Sequence, residues 1–293
     1  MIVRPNPKSL YSGSTSEGEA TQRFFTQRQS PSLATITASA PVIINEGQRN
    51  EKMLLKLLNS TTNEESEKEK EEPYHVYINI HPSHLQSLPL RYHAGLWSDT
   101  VEVVDVGDEA ANFVAKIVTK DDPSFGDVRV VAILESSSRT VNERYCPDAV
   151  RVGIGGKLPM GGLTDGFPIL VATQASLDEL NKRLAKKNKE ELPMSRFRPN
   201  IVIDQTSAPF DEDNWKAIRI GSGPNSVILH ISKGCPRCKQ SCTDQLSGER
   251  GSEPLETLSD FRAMGRDAAD VYFAQNAVLN GDGTSYEGTI RVG

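Results

Sequence analysis

Cysteine is scarce in this sequence, four residues in 293, and aromatic residues make up only 6% of it. So few thiols in so long a chain exclude a secreted disulfide framework and fit a reducing compartment. Positive charge is in deficit as well: 33 Lys and Arg stand against 39 Asp and Glu, a net charge of -6. That balance argues against a nucleic-acid partner, which would call for a basic face. Long apolar runs are missing. None approaches the ~20 residues that span a bilayer, and the first residues lack the apolar core of a signal peptide. The expectation is a soluble intracellular protein with no transmembrane segment. Part of the acidity is local, because residues 64–72 (EESEKEKEE) form a charged low-complexity run that reads as a surface loop spanning about residues 60–73.

Against this scarcity, three of the four cysteines fall within eight positions, Cys235, Cys238 and Cys242, just after the apolar run Val227-Ile228-Leu229. A cysteine used as a small core hydrophobe has no reason to recur at this spacing. Soft metal ions supply one, since they prefer thiolate donors that a single turn can offer together. The readings open at this point are a structural zinc or iron–sulfur site, which could recruit the remote Cys146 as a fourth thiolate, a redox pair, or one reactive thiol with bystanders. Zinc ribbons use two CxxC knuckles and only one is present; a thioredoxin-like CxxC needs a βαβ setting that is missing. Four of the five histidines (His75, His81, His84, His93) lie close together, but without helical i, i+4 spacing, and read as water-facing residues of a strand end and a Pro-containing loop.

Taken in order, residues 1–22 are rich in Pro, Gly, Ser and Thr and read as a disordered arm. Strands are expected over Leu33–Ala38, Val42–Asn45, Tyr74–Ile80, Val101–Val106 and Val128–Leu134, while residues 51–58 fit either a strand or a short helix. Gly107–Val118 reads as a helix with Asp108 at its cap or first turn. The Gly-rich run at 153–157 lacks both GxGxxG and the P-loop pattern and reads as a turn. A strand follows at Ile169–Ala172. Ser176-Leu177-Asp178-Glu179 then reads as a capping box opening a helix through about Lys187, with Leu177, Leu180 and Leu184 on its core face. Arg196 and Arg198 precede a buried-type strand, Ile201–Ile203, that ends at Asp204. The two arginines suit either an anion fork or surface ion pairs. Further strands are expected at 215–221, 227–231 and 272–279, a short helix from Glu253 to about Arg266, and β-structure at 288–293. Strands scattered between turns point to a mixed, β-rich α+β fold, a sheet or barrel with covering helices.

Three blocks carry a family resemblance: Arg196-Phe197-Arg198-Pro199-Asn200-Ile201-Val202-Ile203, Cys235-Pro236-Arg237-Cys238, and Glu253-Pro254-Leu255-Glu256-Thr257-Leu258. In this order and spacing they resemble the MOSC domain, shared by molybdenum-cofactor sulfurases and the mitochondrial amidoxime reducing component. A fainter echo at Phe25–Leu33 resembles a step of the N-terminal β-barrel that precedes MOSC, whereas the family's opening Tyr-Pro-x-Lys-Ser step has at most a trace at Pro7-Lys8-Ser9. The resemblance implies a MOSC-type β-barrel over residues 101–293, preceded by a partial N-terminal barrel over 23–100. It implies a molybdenum cofactor (molybdopterin) lying between the two parts and ligated through Cys238, the metal ligand and catalytic residue. Arg198, Asn200, Thr164 and Asp165 would contact the cofactor, and Arg237 would keep the thiol deprotonated. The implied activity is a molybdenum-dependent oxidoreductase acting on an N-hydroxylated or related small substrate. Its electrons would come from a b-type cytochrome and its flavin reductase, in a cytoplasmic or mitochondrion-associated setting. The sulfurase side adds pyridoxal phosphate binding. The alternatives are a non-catalytic cofactor carrier or sulfur-relay module, or a truncated inactive member.

Overall fold

The computed structural model describes residues 1–5, 21–45, 51–59, 74–134, 139–153, 158–223, 226–264 and 270–279. The charged run at 60–73, the Gly-rich run beyond Gly153 and the stretch 288–293 lie outside them. The chain divides into two compact units, one of residues 1–138 with 243–250, the other of 139–242 with 251–293.

The first unit contributes β1 (Ile2–Pro5), β2 (Gln22–Phe24), β3 (Ile36–Ala38), β4 (Val42–Asn45), β5 (Glu51–Asn59), β6 (His75–Asn79), β7 (Arg91–Leu96), β8 (Asp99–Asp105) and β9 (Arg129–Ile133). Strands β1, β2, β7, β8 and β9 close into a five-stranded barrel. The expected arm is therefore in part a barrel stave: β1 pairs with both β2 and β9, and Val3 is fully buried. The prolines at its end, Pro5 and Pro7, hid a four-residue strand whose partners are remote in sequence. The first unit also runs past residue 100, since β8 and β9 are needed to close the barrel. A second sheet sets β3, β4 and β6 against the long β5, so residues 51–59 are strand. Leu33–Thr35 are not strand: Pro31, with its fixed φ, starts a 3₁₀ turn over Pro31–Thr35. Helix α1 (Pro82–Ser87) is short, whereas α2 (Asp108–Val118) buries Phe113, Val114, Ile117 and Val118 against Val76 and Ile78, the inward residues of alternating β6.

The second unit holds α3 (Asp148–Gly153), β10 (Ile169–Thr173), α4 (Gln174–Lys186), β11 (Ile201–Ile203), β12 (Ala217–Ile220), β13 (Val227–Pro236), α5 (Leu255–Ser259) and β14 (Tyr272–Leu279). Its sheet runs β11-β10-β14-β13-β12, with β10 and β11 parallel and the other pairs antiparallel. Helix α4 covers one face through Leu177, Leu180 and Leu184, packed with Phe197, Leu258 and Phe273. Its cap is Thr173, whose hydroxyl accepts the Ser176 N–H, rather than the expected Ser176. Strand β11 is less buried than its sequence suggests, with Val202 46% exposed at the sheet edge. The helix from Glu253 is also shorter than expected, ending at Ser259.

Candidate functional site

Strand β13 delivers the cysteine loop. Register shifts at Ile231/Lys233 and Gly234/Pro236 bend its end against β14, where Pro236 pairs with Tyr272. Gly234 lies close under Tyr272, where a Cβ would come 3.0 Å from the ring and push it aside. The Arg237 N–H donates to the Val271 carbonyl at 2.8 Å, and the Cys238 carbonyl accepts from both the N–H and the hydroxyl of Ser241, at 3.0 and 2.8 Å. The Cys238 thiol is half-buried in this pinned turn.

Arg237 ties the loop to the rest of the unit. Its Nη1 donates to Cys235 Sγ at 3.0 Å and its Nη2 to the Phe197 carbonyl at 2.8 Å, while the guanidinium lies 5.2 Å from the Phe197 ring centre. Arg237 thus links Cys235 to Phe197 through its side-chain hydrogen bonds. Its Nε is buried and has no hydrogen-bond partner among the described residues. Phe197 is stacked on Phe273 at 3.8 Å, and Leu258 of the third block packs in the same cluster. Glu253 holds that block's helical turn by accepting from the Thr257 N–H and hydroxyl. Three blocks spread over some sixty residues of sequence thus meet in one core.

The two other cysteines are buried. Cys242 is 2% exposed and donates to the Ser252 carbonyl at 3.3 Å, and burial raises its pKa. Cys146 packs with Val141, Val150, Phe167 and Val278, and burial raises its pKa too. Among the described residues, no three His, Cys, Asp or Glu side chains come together as a metal-ligand set, which leaves the four-thiolate reading without support.

The remaining predicted residues divide. Arg198 is exposed and sits on left-handed backbone with φ 55°, so its side chain leaves the core just where Phe197 enters it. Asn200 Oδ1 accepts from the Leu170 N–H at 2.8 Å, and its own N–H donates to the Leu170 carbonyl at 2.9 Å, extending the β10–β11 pairing. Asp204 is exposed and accepts from the adjacent Gln205 N–H. Thr164 and Asp165 form a turn before β10: the Thr164 hydroxyl donates to the Gly161 carbonyl, and Arg139 donates to both of their carbonyls at 2.7 and 3.3 Å. No described contact brings that turn to Arg237. By register, β10 starts opposite Ala277, five residues along β14 from Tyr272, or about 17 Å. Sequence reasoning missed Arg139, Glu212, Asp213 and Arg262, whose partners lie tens of residues away and leave no local pattern.

Residues 160–293 match the MOSC domain. The MOSC match takes in β10 to β14, the cysteine loop and Arg198, but begins beyond the barrel of the first unit. The chain is similar to mitochondrial amidoxime reducing component 2 of Bos taurus, 31% identical over 193 residues, covering 64% of this chain and 51% of that protein. It is 39% identical over 133 residues to the Rattus norvegicus protein of the same name, covering 44% and 36%. It is also 32% identical over 149 residues to a molybdenum cofactor sulfurase of Aspergillus niger, covering 45% of this chain and 18% of that protein. The chain therefore spans about half or less of the length of these curated relatives. Pyridoxal phosphate binding belongs to the N-terminal part of the sulfurases, which is not evident in this chain. No helix among the described residues is long and apolar enough to cross a membrane.

Proposed function

We propose that this chain binds a molybdenum cofactor with Cys238 as the metal ligand and works as an oxidoreductase on an N-hydroxylated or related small substrate. The observation that carries this reading is Arg237: one side chain hydrogen-bonds the Phe197 carbonyl, next to Arg198, and the Cys235 sulfur, three positions before Cys238. The donors fit the group. A half-buried thiol is a soft ligand for a high-valent metal, and the buried Arg237 Nε, without a partner among the described residues, is a donor suited to an anionic ligand. The exposed Arg198 guanidinium can fork onto a phosphate, and Asn200 can orient the cofactor with its amide N–H₂, its oxygen being taken by Leu170. Thr164 and Asp165 stand as more distant candidates for cofactor contact. When bound, the molybdenum centre would supply the redox chemistry and the acceptor for substrate oxygen. Cys238 and Arg237 would hold it in place, with electrons arriving from a b-type cytochrome and flavin reductase in a cytoplasmic or mitochondrion-associated setting.

A carrier or sulfur-relay role would use the same half-buried Cys238 thiol without turnover. Elemental analysis of protein from a molybdopterin-producing host tests both readings. Stoichiometric molybdenum is expected, lost in Cys238→Ala and largely kept in Cys242→Ala. Equal loss in both variants, or zinc or iron in its place, would overturn the assignment. Bound molybdenum without turnover of N-hydroxylated substrates would leave the carrier role.

A further inference from the structure

In the second unit the turn Asp211–Asn214 places two adjacent carboxylates that the proposed chemistry does not use. Glu212 is fully buried and accepts from the hydroxyls of Thr173 and Ser176 at the start of α4. Asp213 receives a bidentate fork from Arg262, 5% exposed, at 2.7 and 3.0 Å, and a third bond from Gln275 Nε2 at 2.7 Å. Arg262 is buried while Asp213 stands at the surface with its side chain a quarter accessible, so the pair brings a guanidinium into the interior and holds it from the rim. A geometric role accounts for it.

Arg262 Nε donates to the Tyr272 carbonyl at 3.0 Å, and the Tyr272 N–H returns a bond to the Arg262 carbonyl at 3.1 Å. Tyr272 is the register partner of Pro236, and the preceding carbonyl, Val271, accepts the Arg237 N–H. The Arg262 guanidinium also lies 4.2 Å from the Phe210 ring centre; Phe210 meets Phe273 edge-on, and Phe273 is stacked on Phe197, the residue that anchors Arg237. Both supports of the cysteine loop, the Val271–Tyr272 backbone and the Phe197 carbonyl, thus rest on the Asp213–Arg262 pair.

We infer that Asp213 and Arg262 are positioning residues for the Cys235–Cys238 loop, setting the direction and exposure of the Cys238 thiol through the Val271–Tyr272 backbone. The inference rests on Cys238 being the functional thiol, but its test needs no metal. The variant is Asp213→Leu with Arg262→Met, which replaces the pair by apolar side chains and leaves no charge stranded. The readout is the iodoacetamide rate at Cys238 relative to Cys235 in metal-free full-length protein, resolved by mass spectrometry beside a thermal midpoint. A filler role predicts an unchanged ratio; positioning predicts a ratio shifted about fivefold, the factor that one hydrogen bond of ordinary net strength commands, at an unchanged midpoint. An unchanged ratio overturns the inference. Should the double variant fail to fold, Arg262→Lys keeps the charge but loses the Nε bond to Tyr272, and the same ratio decides. Molybdenum content, measured separately, separates the two claims: a shifted ratio in a chain that never takes up molybdenum upholds the positioning and sinks the cofactor reading.

Discussion

At the scale of single residues, burial and pairing set the chemistry of the titratable groups. Asp105 lies inside the first unit, and burial alone would push its carboxyl up. Two N–H groups of Arg129 at 2.6 and 2.9 Å, the Gly107 N–H and the Tyr92 hydroxyl outweigh that and hold it below the usual carboxylate range. A depressed folded-state pKa stabilises above the unfolded value of ~3.9, and that contribution is lost as pH falls through the folded value. Asp105→Asn should therefore cost about 2–3 kcal/mol near neutral pH, with the gap to the parent protein closing in acid. Urea midpoints measured near neutrality and in acid check both. The thiols divide in the same way. With their pKa raised by burial, Cys146 and Cys242 should resist iodoacetamide in the native protein while Cys235 and Cys238 react, and mass mapping reads the difference. The sequence set Cys235, Cys238 and Cys242 in one cluster; only the fold separates a core thiol from a half-buried one.

Among elements, α4 joins local pattern to long-range support. Its core leucines were legible from their spacing, because a three-to-four residue repeat places them on one face. Its start was not. Thr173 is β-branched and ends strand β10, while the hydroxyl of Ser176 is engaged by Glu212, thirty-six positions on. Strand β1 escaped for a related reason, since four residues ending in a proline form a strand only when remote strands pair with both edges. Thr173→Ala should remove the cap and one Glu212 donor at a cost of about 1–2 kcal/mol. Leu180→Ala, at a fully buried position, should cost about 2–5 kcal/mol. Denaturant midpoints in the two variants rank the cap against the core.

On the scale of the whole molecule, the family resemblance anticipated which distant blocks would meet, but not the residues that hold them. Arg139, Asp213 and Arg262 act through carbonyls and carboxylates that no spacing rule links to them. Nor did it anticipate the segment 243–250, which belongs to the first unit although the chain on either side builds the second. Arg250 there donates to the carbonyls of Gln27 and Arg28, and Gly248, with φ 76°, lies where a Cβ would come within 3.4 Å of Ser32 and Thr35. Arg250→Met should speed hydrogen exchange at Gln29 and Ser30 and leave the amides of β10 unchanged; equal acceleration in both places would mean that the segment is not a local clamp.

That excursion has a consequence for biosynthesis. A ribosome finishes residue 138 long before residue 250, and at bacterial-to-eukaryotic elongation rates the interval is about 6–20 s. Throughout it the N-terminal barrel lacks the clamp that secures its 26–30 turn, with β-strands already out in the cell. A chain cut short within that window would leave a first unit still without its Arg250 clamp.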